Sequence, residues 1–403
     1  MVMSMEATKR VLVFSEMFPK AKSSSSGIFI IERLKTLQNL GVDFDFAPVS
    51  TFDSFPVRLI KRLKGIIPST PIEAVQVGEK QFPVLKVDLG LKERIGLIRQ
   101  ETRSWVKYAE KMAEAIEKRK KVCEFSLLHA HRVFPEGYAA MLLSQKHSIP
   151  YVVTAHGSEI HSVSDKNKTV VREILQRAAT SIFVSHALMK DASEKLGYDG
   201  TNGIVIPNGV DTEVFKPIDK EDARKRMGLP LDRKVVGFVG NLIEVKGADR
   251  LPAIAKELMK LRSDVFFLIV GDGPLLKTLE DKMPMEITRF TGRIDHELMP
   301  VAMNSIDVIV FPSRKEGLPT TILEACACGV RIVGTNAGGI PEAIRDMGAI
   351  VMKPDDIEKQ FARILSIDLS ALSEANSPRK TIDIFSWKEA VRRESAVYSE
   401  CSK

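Results

Sequence analysis

Short apolar runs of strand length alternate with longer amphipathic runs along nearly the whole chain, and this alternation limits the fold more than any other feature. Strands are expected at Val11–Phe14, Val42–Ala47, Leu127–Ala130, Tyr151–Thr154, Ser181–Val184 and Gly203–Ile206, then at Val235–Val239, Val265–Val270, Ile287–Phe290, Val308–Phe311 and Arg331–Val333. Helical patterns fall between them, at Gly27–Asn39, Leu91–Lys121, Tyr138–His147, Ala248–Leu261 and Thr320–Ala327. Such alternation means α/β architecture, with parallel sheets covered by helices on both faces. The pattern breaks near Pro207-Asn208-Gly209, so two doubly wound domains are expected. A chain of 403 residues has room for two or three. Ligands of such sheets bind beyond the carboxyl ends of the strands, here in a cleft between the domains.

Composition narrows the class. Hydrophobic residues make up 44% and charged residues 28%, which excludes a disordered chain. The longest apolar runs, Phe266–Val270 and Val308–Phe311, fall far short of the ~20 residues that a membrane-spanning helix needs. Met1–Arg10 is polar and only Val11–Phe14 follows as an apolar run, so no signal peptide is expected. Four cysteines make no disulfide framework, and a reducing cytoplasm is the expected location. Residues 1–200 hold 30 Lys and Arg against 22 Asp and Glu, whereas the remainder holds 29 against 30. The basic half is therefore the one expected to meet an anionic partner, either a membrane surface or a phosphorylated substrate.

Four segments carry chemistry. In Phe311–Thr335 a strand ends, a loop presents Glu316, Gly317 and Pro319, and a helix starts near Thr320. The first-turn N–H groups of that helix lack internal partners and form an anion site. Glu324 lies one turn in, so Glu316 and Glu324 put one carboxylate on the loop and one on the helix. A second anion site is expected at Gly240–Gly247, between a strand and a helix, with Lys246 as a point charge suited to phosphate. It lacks the Gly-Lys-Ser/Thr of a Walker loop. A third is Ser23-Ser24-Ser25-Ser26-Gly27, where glycine permits close approach of backbone N–H groups. Thr154–Glu159 places His156 and Gly157 at a strand end. Each also has a plainer reading: a capped helix with surface glutamates, a flexible Ser-rich loop, a structural histidine.

Other features carry less. Asp43-Phe44-Asp45 has a metal-like spacing but falls inside a predicted strand, far in sequence from the phosphate segments. His129 and His131 read as strand packing, and Cys326 and Cys328 as small buried side chains on different helix faces. Gly271-Asp272-Gly273 lacks the full dinucleotide fingerprint. In the segment 58–67, bracketed by Pro56 and Pro68, Leu59, Ile60, Leu63, Ile66 and Ile67 share an arc of roughly 120°, with Arg58, Lys61, Arg62 and Lys64 outside it. That is the pattern of a short interfacial helix on an anionic membrane, or of an ordinary amphipathic helix with its basic face in water.

Together the segments resemble the family 4 retaining glycosyltransferases (group 1) of the GT-B fold. The resemblance rests on SGIF at Ser26–Phe29, PEGYAA at Pro135–Ala140, TAHGSE at Thr154–Glu159, IPNGVDTEVFKP at Ile206–Pro217, GDGP at Gly271–Pro274 and EGLPTTILEACACG at Glu316–Gly329. It implies two Rossmann-like domains: 1–208 for the acceptor and 209–380 for a nucleotide sugar, with 381–403 crossing back onto the first. It further implies that Glu324 holds the ribose hydroxyls and that Glu316 sits against the donor sugar. Lys246 and the N–H groups around Gly317, Leu318, Pro319, Thr320 and Thr321 would hold the diphosphate, with Gly27 approaching from the other domain. Arg293 and Ile294 would sit at the base, and His156 near the anomeric side of the sugar. His156, Glu316 and Lys246 are thus the expected catalytic set. Asn241 stands where the family usually has Arg, so one cationic diphosphate contact is replaced by a neutral donor.

The implied reaction is hexosyl transfer with retention, from a nucleotide-diphosphate sugar (a UDP-sugar foremost) to a glycan or lipid-linked acceptor of cell-surface polysaccharide or glycolipid synthesis, at the inner face of the membrane. No metal, other cofactor or nucleic-acid partner is expected. The alternatives are a nucleotide-sugar 2-epimerase of the same fold and a non-catalytic nucleotide-sugar-binding subunit.

Overall fold

The computed structural model describes residues 10–19, 27–52, 72–345, 348–351, 356–370 and 378–402. They form two compact units, Met1–Pro207 with Ala390–Lys403, and Asn208–Glu389. The first unit contains β1 (Val11–Ser15), β2 (Phe44–Phe52), β3 (Ala74–Val77), β4 (Lys80–Pro83), β5 (Leu85–Asp88), β6 (Leu127–His131), β7 (Tyr151–Ala155), β8 (Thr180–Phe183) and β9 (Gly203–Val205). Seven of these form a wholly parallel sheet in the order β5-β2-β1-β6-β7-β8-β9, and β3 and β4 pair separately as an antiparallel hairpin. Strands β1, β6 and β7 are buried at every position. Burial on both faces is why they read as unbroken apolar runs rather than as alternation.

The second unit contains β10 (Lys234–Val239), β11 (Val265–Val270), β12 (Thr288–Gly292), β13 (Val308–Phe311), β14 (Arg331–Thr335) and β15 (Gly348–Val351). All its pairings are parallel, in the order β12-β11-β10-β13-β14-β15. One face packs on a core that includes Phe238, Leu258, Phe267, Val310 and Phe361. The strand order reverses between β10 and β13, the point where a doubly wound sheet opens a crevice for ligands.

Two features depart from expectation. The helical pattern Leu91–Lys121 is two helices, Leu91–Ile98 and Thr102–Arg119. Gln100 between them takes a φ of +56°, which no α-helix accommodates. Strands β3, β4, β5 and β15 were not expected: each is short and none is buried throughout, so they lack the fully buried apolar run that marks an equally short strand such as β13.

The last helix, Trp387–Cys401, supplies the final part of the first unit. Its Glu394 pairs with Arg33 of the helix Ile28–Asn39, both side chains being fully buried. Tyr398 donates its hydroxyl to Glu394 and meets His129 Nδ1 at 2.6 Å. Among the described residues no helix is long and apolar enough to cross a membrane.

Candidate functional site

In the second unit, the loops that follow β10 and β13 meet at the reversal point. Lys246 lies in the turn Glu244–Lys246, and its Nζ donates to Glu316 Oε1 and Oε2 at 2.8 and 2.7 Å. Glu316 is only 6% exposed, and its Oε1 also accepts the Ser313 hydroxyl at 2.8 Å. The two loops are tied again by Arg314, which forks onto both carboxylate oxygens of Asp249 at 2.7 Å. Behind Glu316 runs the turn after β14. A Cβ on Gly338, at φ +54°, would fall 1.8 Å from the Glu316 carbonyl oxygen, and the Gly339 N–H donates to the Gly317 carbonyl at 3.0 Å. Only glycine lets that turn press against the loop. Sequence reasoning missed Ser313, Gly338 and the Arg314–Asp249 tie; of these, only the Gly338-Gly339 pair after a strand left a signal.

The helix Thr320–Ala327 starts after the buried Gly317, Leu318 and Pro319. Pro319 is extended and provides no side-chain cap, so the first-turn N–H groups at Thr320 and Thr321 form an open positive end. Glu324 is half-buried and its carboxylate has no hydrogen bond or ion pair among the described residues. Burial alone pushes this carboxyl up to about 7. Asn241 is exposed on the β10 loop. Arg293 is exposed, 3.9 Å from Asp272, with half-buried Ile294 next to it; the Gly271 N–H donates to the Gly292 carbonyl and keeps those two loops side by side. Cys326 and Cys328 are buried, and burial pushes both thiols up, Cys328 to about 12.

Gly27 and His156 belong to the first unit. Gly27 opens the helix Ile28–Asn39 at φ +76°, and a Cβ there would lie 2.5 Å from the Phe18 backbone nitrogen. The Phe29 ring packs 5.0 Å from His156. His156 is fixed twice more: its Nε2 meets His131 Nδ1 at 3.2 Å, and its backbone N–H donates to Glu159 Oε1 at 2.7 Å. Burial, followed by the neighbouring charge of Arg33, depresses its imidazole well below the usual histidine range, so the ring is neutral at physiological pH. His131, buried beside His129 and Arg33, is depressed in the same way. The serines Ser23–Ser26 and the cationic residues Arg58, Lys61, Arg62 and Lys64 lie outside the described residues.

His129, His131 and Glu394 come within 4.8 Å of one another, but as parts of a hydrogen-bonded core. Both His129 nitrogens are engaged, by Tyr398 and by Thr154, and Glu394 is engaged by Arg33 and Tyr398. Asp45 accepts from Lys120 at 2.7 Å, and Arg10 lies 3.9 Å from both Asp43 and Asp45. These carboxylates sit at the amino end of β2, away from the strand ends where ligands of such sheets bind.

Two parallel, doubly wound α/β units, the second with the Lys246–Glu316 pair and an uncapped helix start at its reversal point, are the parts of a GT-B fold. The family model described as "Glycosyl transferases group 1" matches residues 219–380, and that described as "Glycosyltransferase Family 4" matches residues 87–214. The chain is 29% identical over 355 residues to the "Putative teichuronic acid biosynthesis glycosyltransferase TuaC" of Bacillus subtilis (strain 168), covering 86% of this chain and 85% of that one. In fold it resembles sucrose-phosphate synthase from Thermosynechococcus elongatus, with a TM-score of 0.75, 19% identity and coverage of 97% and 98% of the two chains. It also resembles Anabaena HepE in complex with UDP and glucose, with a TM-score of 0.70, 17% identity and coverage of 97% and 100%. The chain belongs to the group 1, family 4 glycosyltransferases.

Proposed function

We propose that this glycosyltransferase moves a hexosyl group, with retention and without a metal ion, from a UDP-sugar to a glycan or lipid-linked acceptor in cell-surface polysaccharide or glycolipid synthesis at the inner face of the membrane. The Lys246–Glu316 pair beside the open end of the helix Thr320–Ala327 carries this reading. Breaking the anomeric bond puts positive charge on the sugar and negative charge on the leaving diphosphate. Lys246 and the N–H groups at Thr320 and Thr321 supply preorganised positive charge for that diphosphate, the task a metal ion performs elsewhere. Glu316 holds Lys246 in place and accepts from the donor sugar's hydroxyls. Retention follows if the acceptor oxygen attacks the anomeric carbon on the face the phosphate leaves, as that bond breaks and the leaving phosphate oxygen takes the acceptor's proton; a short-lived glycosyl–enzyme intermediate is the competing route.

His156 is neutral and fixed at Nε2, which suits hydrogen bonding to the sugar rather than charge. Gly27 lets its helix approach the diphosphate, Arg293 and Ile294 flank the base, and Asn241 adds a neutral donor in place of a cation. The names and ligands of the proteins it resembles support the class of chemistry: teichuronic acid biosynthesis in one case, UDP and glucose in the other. Arg58, Lys61, Arg62 and Lys64 are proposed to meet an anionic membrane.

Glu324 yields a pH prediction. Its ionised form accepts the ribose hydroxyls, so donor affinity rises with pH through about 7. Stability moves the other way. The folded protein binds this proton more tightly than the unfolded chain does, so between about 4.5 and about 7 the Glu324 contribution to stability falls as pH rises. Glu324→Gln should abolish both slopes and weaken donor binding at pH 8; titration calorimetry across pH that finds the slopes unchanged would remove Glu324 from the site.

The overall reading is tested by thermal melting against a panel of nucleotides and nucleotide sugars, with and without EDTA. A donor at 100 times its dissociation constant adds about 2.7 kcal/mol, which shifts the melt by several degrees. The expected result is a shift with a UDP-sugar that EDTA leaves intact. A shift abolished by EDTA would overturn metal independence, and a shift with ADP- or GDP-sugars alone would replace the donor. Conversion of the donor to an epimer with no acceptor present would favour the epimerase alternative.

A further inference from the structure

In the first unit, where β1 and β6 end, one guanidinium is set between two carboxylates. Arg132 directly follows β6 and Glu16 directly follows β1. Arg132 Nε donates to Glu136 Oε2 at 3.0 Å, and its Nη2 donates to Glu16 Oε2 at 3.1 Å. Glu136, which is fully buried, also accepts the Glu16 backbone N–H at Oε1, at 3.1 Å. Glu16 is thus held by its main chain and by its side chain at once. This clamp is costly. Arg132 is a non-glycine residue at φ +97°, a conformation that persists only where surrounding structure enforces it. Two carboxylates share one cation, and the charge of Glu159 also acts on Arg132. Tyr108, buried on the helix Thr102–Arg119, faces both carboxylates; burial together with the charges of Glu16 and Glu136 pushes its hydroxyl up. Burial pushes the Glu136 carboxyl up as well, with Arg132 opposing this and Glu16 adding to it.

Buried ionic groups add little stability over well-packed apolar ones, and backbone strain and buried titratable groups gather where structure serves function. The cluster is therefore explained by what it holds in place. Just beyond Glu16 lies the seat of Gly27. A Cβ on Gly27 would fall 2.5 Å from the Phe18 nitrogen and 2.6 Å from the Met17 carbonyl carbon, so the glycine presses directly on the segment that the clamp secures. That segment has little freedom of its own. Phe18 is buried, and the Met17 N–H donates to the Ser15 hydroxyl at 2.9 Å. Gly27 opens the helix Ile28–Asn39, so the position of residues 16–18 sets where that helix begins.

We infer that Glu136 is a positioning residue: together with Arg132 it fixes residues 16–18 and, through their contact with Gly27, the start of the helix that meets the donor's diphosphate. The role toward the diphosphate rests on the transferase reading; the clamp on residues 16–18 does not.

The test uses Glu136→Gln on the full chain. The substitution keeps the side-chain volume but breaks the clamp, because the carboxylate accepts at both oxygens and an amide has only one acceptor oxygen. In hydrogen exchange followed by mass spectrometry, the amides of residues 16–18 and of the start of the helix Ile28–Asn39 should exchange roughly tenfold faster than in wild type, while those of β8 and β9 stay unchanged. In titration calorimetry, Glu136→Gln should weaken UDP binding by roughly tenfold and leave UMP, which lacks the second phosphate, bound as in wild type. Gly27→Ala disturbs the same contact without touching an ion pair, so it should speed the same amides even if Glu136→Gln fails to fold. The double variant should bind UDP about as well as the weaker single variant, because both changes act through one contact. Unchanged exchange at residues 16–18 would overturn the clamp. Unchanged UDP binding, equal losses of UDP and UMP, or additive losses in the double variant would overturn the positioning role. Faster exchange in the variants of a protein that binds no UDP as wild type strikes at the transferase reading alone.

Discussion

Lys246→Met should lower kcat/KM for sugar transfer by roughly 10²–10³-fold, the usual consequence of removing one preorganised group from a site of developing negative charge. Two effects combine. The leaving diphosphate loses its cation, and Glu316, only 6% exposed, loses the ammonium that both its oxygens contact. A hydrogen bond to a charged group contributes about 1.5–3 kcal/mol, so the melting temperature should fall as well. Two companion variants separate these effects. Glu316→Gln keeps the cation and removes its partner, and Lys246→Arg keeps the charge with an altered shape. If the cation acts on the diphosphate, Lys246→Arg should retain far more turnover than Lys246→Met. Steady-state kinetics with the donor named by the melting panel decide this. Wild-type turnover by Lys246→Met would remove this residue from the mechanism.

Glu394→Gln should destabilise the first unit by roughly 3–5 kcal/mol, because it leaves the fully buried Arg33 guanidinium facing a neutral amide. The substitution also disturbs the hydroxyl of Tyr398 and, through it, His129. The two tryptophans make the measurement direct, since Trp105 lies in the first unit and Trp387 in the second. In a Trp387→Phe background, urea unfolding followed by Trp105 fluorescence reports the first unit alone. Replacing both partners, Arg33→Met with Glu394→Leu, should recover most of the loss, because apolar pairs of similar volume often match a buried ion pair. A small effect in Glu394→Gln would mean that water or another group already serves Arg33. Arg33 lies on the helix that Gly27 opens, so transfer activity should fall together with stability.

Much of the fold could be read from the sequence because its central strands are buried on both faces. β1, β6, β7, β10, β11, β13 and β14 were all expected within a few residues, since unbroken apolar runs leave a strong local signal. Strands β3, β4, β5 and β15, none of them buried throughout, leave almost none, and the break at Gln100 depends on a backbone conformation that glutamine does not announce.

The candidate site divides in the same way. The Glu316–Glu324 segment is contiguous, so a single stretch of chain carries its loop, its helix start and both carboxylates. Pairing Lys246 with Glu316 joins residues 70 positions apart, and pairing Arg33 with Glu394 joins residues 361 apart.

By itself the sequence determined the class of fold, the family and the residue types gathered near the β10 and β13 loops, because these are properties of local runs and contiguous motifs. Only the tertiary structure decided that Ser313 and Lys246 converge on Glu316, that Gly338 braces the loop behind it, and that His131 holds His156. Contacts of this kind depend on where distant loops are carried by the ends of parallel strands, and no periodicity along the chain encodes that convergence.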